Sequence, residues 1–166
     1  MTFADLARGD SVFVDANIFT YHFQPHGRWG AACTLLLQQI EQQQVVGYTS
    51  SDVISEVSHR LMTIEAHKSL GWQLIGIGNR LRTNPAEVRK LTLFRTSVEK
   101  LLQGKIQVLP VTSADLAVAI GLCQQRALLA NDGLMVAVMQ AYGLTNIASN
   151  DDDFDRVPGI TRYAPA

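Results

Sequence analysis

Short apolar runs recur along this chain, and each is separated from the next by a segment with helical spacing. SVFV at Ser11–Val14, VVGYT at 45–49, IQVLP at 106–110 and NIAS at 146–149 are predicted strands, with a last one near Thr161–Tyr163. Between them, residues 29–43 carry Ala32, Leu35, Leu36 and Ile40 at helical spacing, and residues 51–62 place Val53, Ile54, Val57 and Leu61 on one face. The helical pattern continues over 63–82, interrupted by Gly71, Gly76 and Gly78. Asn84, Pro85 and Glu87 predict the cap, first position and capping box of a helix that carries Val88, Leu91, Phe94, Val98, Leu101 and Leu102 to a stop at Gly104. Thr112 and Asp115 predict a second capping box, for a helix reaching about Arg126. Residues 131–142 are apolar nearly all round, which predicts a buried helix with Asn131 as its cap and Gly143 as its stop. Strands alternating with helices imply βαβ units, and hence a central parallel sheet covered by helices on both faces.

In such a sheet the ligand site lies beyond the carboxyl ends of the strands. Asp15 directly follows the first strand, with Asn17 two residues on, and Asp151 follows NIAS across Asn150. Glu56 falls in the first turns of the helix that begins after the second strand, at the same edge. Asp132 leads the buried helix and must sit at the rim of the core. Each acid has an ordinary alternative: Asp15 or Asn17 as a helix cap, Glu56 as a surface residue, Asp132 as a partner of the helix dipole, and SNDDDFD as a solvated turn. Together they put four carboxylates at one edge of one sheet, where mutual repulsion and burial raise pKa values unless a cation intervenes. All-oxygen ligands select hard ions, so Mg²⁺ or Mn²⁺ is expected. His22 and His26 are four apart, but Pro25 lies between them and no Glu follows His22, so the zinc motif HExxH is absent.

The net charge of −1 gives little sign of a polyanion partner, but its distribution is uneven. Arg80, Arg82, Arg89, Lys90, Arg95, Lys100 and Lys105 face only Glu87 and Glu99, a local balance of +5. That run suits either a phosphate backbone or the solvated side of surface helices. The longest apolar runs are too short to span a bilayer, and MTFADLARGD lacks a basic start followed by an apolar stretch, so neither a membrane span nor a signal peptide is expected. Cys33 and Cys123 sit in apolar helical patterns and are expected to be buried reduced thiols of a cytoplasmic protein.

The segments VDANIF, TSSDVISEV, NDGLMVAVMQAYGL and IASNDDDFDRVPGI follow one another in an order that resembles the PIN-domain nucleases, and within them the VapC toxins of toxin–antitoxin pairs. The resemblance spans nearly the whole chain. It implies one PIN domain over 1–166, a three-layer α/β/α sandwich with a mostly parallel sheet, and an extended helical region at 63–96 compared with short members. It implies that Asp15, Glu56, Asp132 and Asp151 are the metal-site acids of a Mg²⁺- or Mn²⁺-dependent endoribonuclease. Asn17, Ser149 (where the family usually has Thr) and Asp153 would support them. A homodimer and a VapB-like antitoxin are further implications. Two other readings stand beside this one. A haloacid-dehalogenase-type phosphatase also carries an Asp after its first strand but needs an acid two residues later, where this chain has Asn17. A PIN-like RNA-binding or assembly module without catalysis tends to lose acids that are all present here.

Overall fold

Val12, Phe13 and Val14 are consecutive, and all three are fully shielded from solvent. Successive strand residues point to opposite faces, so complete burial of three in a row requires helices on both sides of the sheet. The structure, a computed structural model describing residues 1–24 and 26–166, has this arrangement; Pro25, which separates His22 from His26, lies outside the described residues. Strands β1 (Ser11–Val14), β2 (Val46–Ser50), β3 (Gln107–Leu109), β4 (Asn146–Ala148) and β5 (Thr161–Tyr163) form one sheet in the order β3-β2-β1-β4-β5, parallel throughout. The expected strands are present, and the sheet is wholly rather than mostly parallel.

Eight helices connect and cover the sheet among the described residues: α1 (Ala16–Phe23), α2 (Gly30–Glu41), α3 (Ser51–Leu70), α4 (Ile77–Thr83), α5 (Pro85–Val88), α6 (Leu93–Gln103), α7 (Ser113–Arg126) and α8 (Ala130–Ala141). Helices α1, α2, α3 and α6 pack in one group, and α7 packs along α8. The α7 capping box forms as expected, with the Thr112 hydroxyl bonded to the Asp115 carboxylate at 2.7 Å. Helix α8 is buried from Asp132 to Met139, and Gly143 ends the segment with a positive φ of 67°. The cysteines are free thiols: Cys33 is buried, whereas Cys123 is partly exposed because α7 lies at the surface.

Close approach of α7 to α8 depends on Gly133. A methyl group there would collide with Cys123 Sγ and come within 3.1 Å of the Ala119 carbonyl oxygen. Gly133→Ala gains about 1 kcal/mol of helix propensity but overpacks the contact by about 1–3 kcal/mol. A net loss of stability is expected in urea unfolding; a gain would show that α7 moves aside freely.

Two expectations fail between Thr63 and Gln103. The predicted helix from Asn84 to Gly104 is broken into α5 and α6, and Asn84 does not cap it: its side-chain amide donates instead to the Arg80 carbonyl at 2.8 Å. The start of α6 is capped from outside. Buried Glu65 of α3 accepts the backbone N–H groups of Thr92 at 2.8 Å, Leu93 at 3.0 Å and Phe94 at 2.9 Å. Helix α3 itself runs eight residues past Met62 to Leu70 before Gly71 turns left-handed at φ 66°. This region closes a small core of its own, in which Ala66, Ile77, Leu81 and Leu91 are buried. The basic residues of 79–105 are all exposed. Several are engaged locally: Arg95 pairs with Glu99, Lys90 with Glu87, and Arg80 stacks over Trp72.

Candidate active site

Strand order reverses at β1, which has β2 on one side and β4 on the other. A crevice therefore opens between the carboxyl ends of β1 and β4, where the connections leave in different directions. Asp15 emerges from β1, and Ser149 and Asp151 from β4. Helix α3 begins directly after β2 and brings Glu56 to the same edge, while α8 starts there and brings Asp132. All four acids singled out in the sequence, with Asn17, line one cleft of about 330 Å³.

Asp15 occupies the cap position of α1 but its side chain makes no capping bond. Its Oδ2 instead accepts the Ser149 hydroxyl at 2.7 Å and the Asn17 amide. Ser149 is a hub: its hydroxyl also accepts from Asn17 Nδ2 at 3.1 Å and from the Asp151 backbone N–H at 3.0 Å. Asn17 Oδ1 accepts the Asn150 N–H at 3.3 Å, which closes the link between the two strand ends. Asn17 and Ser149 thus hold the carboxylate of Asp15 and the backbone of Asp151 in register, and Ser149 keeps the hydroxyl that Thr carries in the related pattern. In the acidic run, Asp152–Arg156 form a 3-10 turn, with Asp151 accepting from the Asp153 N–H.

Carboxylate oxygens of Asp132, Asp151 and Asp153 lie within 4.8 Å of one another. Three charged oxygens at that spacing fit a hard divalent cation held by oxygen ligands. Asp153, read from the sequence as a supporting residue, stands in this cluster, while its outer side is paired with Arg156. The Glu56 carboxylate is turned elsewhere: Oε1 pairs with Arg60 at 2.5 Å and Oε2 accepts from Asn131 Nδ2 at 3.3 Å. Asn131 was expected to cap α8, but Leu129 holds the cap position, so Asn131 lies inside the first turn with its amide free for Glu56. Sequence reading passed over Arg60, although its position four residues after Glu56 on one helix makes the pair legible.

Burial pushes Asp15 from 3.8 up to about 6, against the lowering effect of the Ser149 hydroxyl and with a further push from Glu56. Asp132 is also raised to about 6, by burial first and then by the charges of Asp151, Asp153 and Glu56. Both carboxyls hold protons more tightly in the folded chain than in the unfolded one. Their contribution to stability is present below about pH 4 and lost as pH rises through about 6. Other acids act oppositely: Asp155 beside Arg162 and Asp115 at its cap are lowered, and what they contribute is lost in stronger acid. In EDTA, the melting temperature is expected to fall between pH 5 and pH 8, with buried Asp15 alone accounting for about 1.5 kcal/mol over that window. Addition of Mn²⁺ at pH 8 should reverse the fall. A flat profile would show that the two carboxyls are not perturbed.

Fold and site together define a parallel α/β protein with a carboxylate-lined cleft at the switch point of its sheet. The PIN domain family model matches residues 12–160, and the chain belongs to the PIN-domain family. Among characterised proteins it is similar to ribonuclease VapC2 of Methanocaldococcus jannaschii, at 26% identity over 151 residues and 89% of each chain. Its fold is similar to a solved structure of VapBC2 from Rickettsia felis bound to a DNA fragment from their promoter, with a TM-score of 0.61, 13% identity, and coverage of 93% of this chain and 98% of that one. It is also similar to VapC20 of Mycobacterium tuberculosis, a sarcin-ricin loop cleaving toxin, with a TM-score of 0.60, 19% identity, and coverage of 87% and 92%.

Proposed function

We propose that this chain is a metal-dependent endoribonuclease and the toxin of a VapBC-type toxin–antitoxin pair. The observation that carries the reading is the meeting of Asp15, Glu56, Asp132 and Asp151 in one cleft at the switch point of a PIN fold. The relatives named above, a ribonuclease and toxins of VapBC systems, support the substrate class and the partner.

Asp132, Asp151 and Asp153 would hold the cation, Mg²⁺ or Mn²⁺, with Asp15 and Glu56 of the same cleft as further ligands. When bound, it supplies charge stabilisation at the phosphate and a nucleophile at neutral pH. Asn17 and Ser149 fix the orientation of Asp15. Burial of Asp15 and Asp132 keeps bulk solvent from competing at the base of the cleft.

Among the described residues no helix is long and apolar enough to cross a membrane. A homodimer is part of this reading. Leu116 and Ile120 lie one turn apart on α7, 50% and 73% exposed, and supply an apolar face for a second copy. Sedimentation at micromolar concentration should give the mass of two chains, and the mass of one would remove this part of the reading.

The test of function is digestion of total cellular RNA by the purified chain with Mg²⁺ or Mn²⁺, beside EDTA and an Asp132→Asn control. Discrete fragments that require both metal and Asp132 are expected, and their ends identify the cut. Metal binding without cleavage of any RNA would favour a non-catalytic RNA-binding module.

A further inference from the structure

Arg60 is the only positively charged side chain among the described residues lining the acidic cleft. It projects from α3 one turn beyond Glu56, and its side chain is 49% exposed. One amino group, Nη2, is engaged by Glu56 Oε1; its other N–H groups meet no acceptor among the described residues. Arg60 and Asp15 line the same cleft. Of the other arginines near the acids, Arg156 pairs with Asp153 of the carboxylate cluster, and Arg162 is taken up by Asp155 through Nε at 2.8 Å and Nη2 at 2.6 Å and by the Ser149 carbonyl at 3.4 Å; neither lines the cleft.

A phosphodiester entering this cleft meets carboxylates on every side, and a cation bound to them neutralises only part of their charge. An arginine fork offers paired donors matched to phosphate oxygens. The partner that now holds Arg60 is itself one of the acids suited to a cation. Glu56 can therefore turn from Arg60 to the metal, which leaves the guanidinium for the phosphate.

We propose that Arg60 binds the RNA phosphate in the cleft and is held by Glu56 until metal draws that carboxylate away. This rests on the ribonuclease reading above. Two consequences have opposite signs. Removing Arg60 frees Glu56 and removes a positive charge, so metal should bind more tightly; it also removes a phosphate contact, so RNA should bind more weakly.

The experiment compares wild type with Arg60→Gln and Arg60→Lys. Calorimetric titration of the metal-free chains with Mn²⁺ should show R60Q binding several-fold more tightly than wild type. Cleavage of an RNA oligonucleotide spanning a cut mapped in the total-RNA digest should show KM raised about tenfold in R60Q, the order expected for one lost charge-assisted contact. The salt dependence of log KM should flatten by about 0.7, the slope of one phosphate contact on a single strand. R60K, which keeps the charge but not the fork, should recover the salt slope and only part of the KM. A folded R60Q chain with unchanged KM and salt slope overturns the proposal, as does a weaker Mn²⁺ affinity, which would make Arg60 a support of the metal site. Wild type that cuts no RNA overturns the ribonuclease reading and this one with it, whereas wild-type cleavage that R60Q leaves untouched overturns this one alone.

Discussion

Asp132→Asn is expected to lower metal-dependent RNA cleavage at least about a thousandfold while leaving the chain folded. Asp132 stands in the first turn of α8, beside the acids that follow β4. Its carboxylate lies within 4.8 Å of those of Asp151 and Asp153, and their charges together with that of Glu56 act on it. An amide keeps the size of the side chain but removes the negative charge that a hard cation needs. Loss of charge stabilisation worth about 4 kcal/mol in the transition state corresponds to that factor in rate. The same substitution relieves repulsion in the metal-free protein. The melting temperature in EDTA at pH 8 should therefore hold or rise, and its fall between pH 5 and pH 8 should shrink. Cleavage assays, Mn²⁺ calorimetry and thermal unfolding of the one variant check all three consequences. A variant that loses several degrees of stability in EDTA would instead give Asp132 a structural task at the start of α8.

Glu65→Ala is expected to destabilise the chain by about 3–5 kcal/mol, the range for breaking a buried charged network. Its carboxylate is 4% exposed and accepts three consecutive N–H groups at the start of α6. Those groups have no partner within their own helix, and Thr92 at the cap position makes no side-chain bond to them. Alanine leaves them unpaired beside a cavity. Glu65→Gln keeps one acceptor oxygen but turns an NH₂ group toward a backbone donor, so a loss of about half that size follows. Urea unfolding measures the total. Hydrogen exchange at Thr92, Leu93 and Phe94 locates it, and protection there equal to wild type would show that α6 is held by packing alone. Cleavage by the surviving fold should change little, because Glu65 does not line the acidic cleft.

The sheet and most helices were legible because their signals are local. Short apolar runs, helical spacing, the Thr112–Asp115 box and the glycine stop at Gly143 each lie within a few residues of what they specify. The topological rule then sufficed to bring Asp15, Glu56, Asp132 and Asp151 to one edge, since each either follows a strand or begins a helix there. Where local signals misled, a distant group had taken the role. Asn84 and Pro85 start only a four-residue helix, because the longer helix behind them is capped by Glu65, 27 residues from Thr92 along the chain. Asn131 falls inside the first turn of α8, behind Leu129 at the cap position, and its amide meets Glu56, 75 residues away.

Sequence by itself determined the order of strands and helices, the acids available to a cation and the family to which they belong, since spacing and residue type are written along the chain. Only tertiary structure decided how the acids are divided. Asp132, Asp151 and Asp153 draw together, Asp15 is held by Ser149 across 134 residues, and Glu56 is turned to Arg60 and Asn131. The direction of a carboxylate depends on which donors packing brings within about 3 Å of it, and those donors come from elements far apart in sequence.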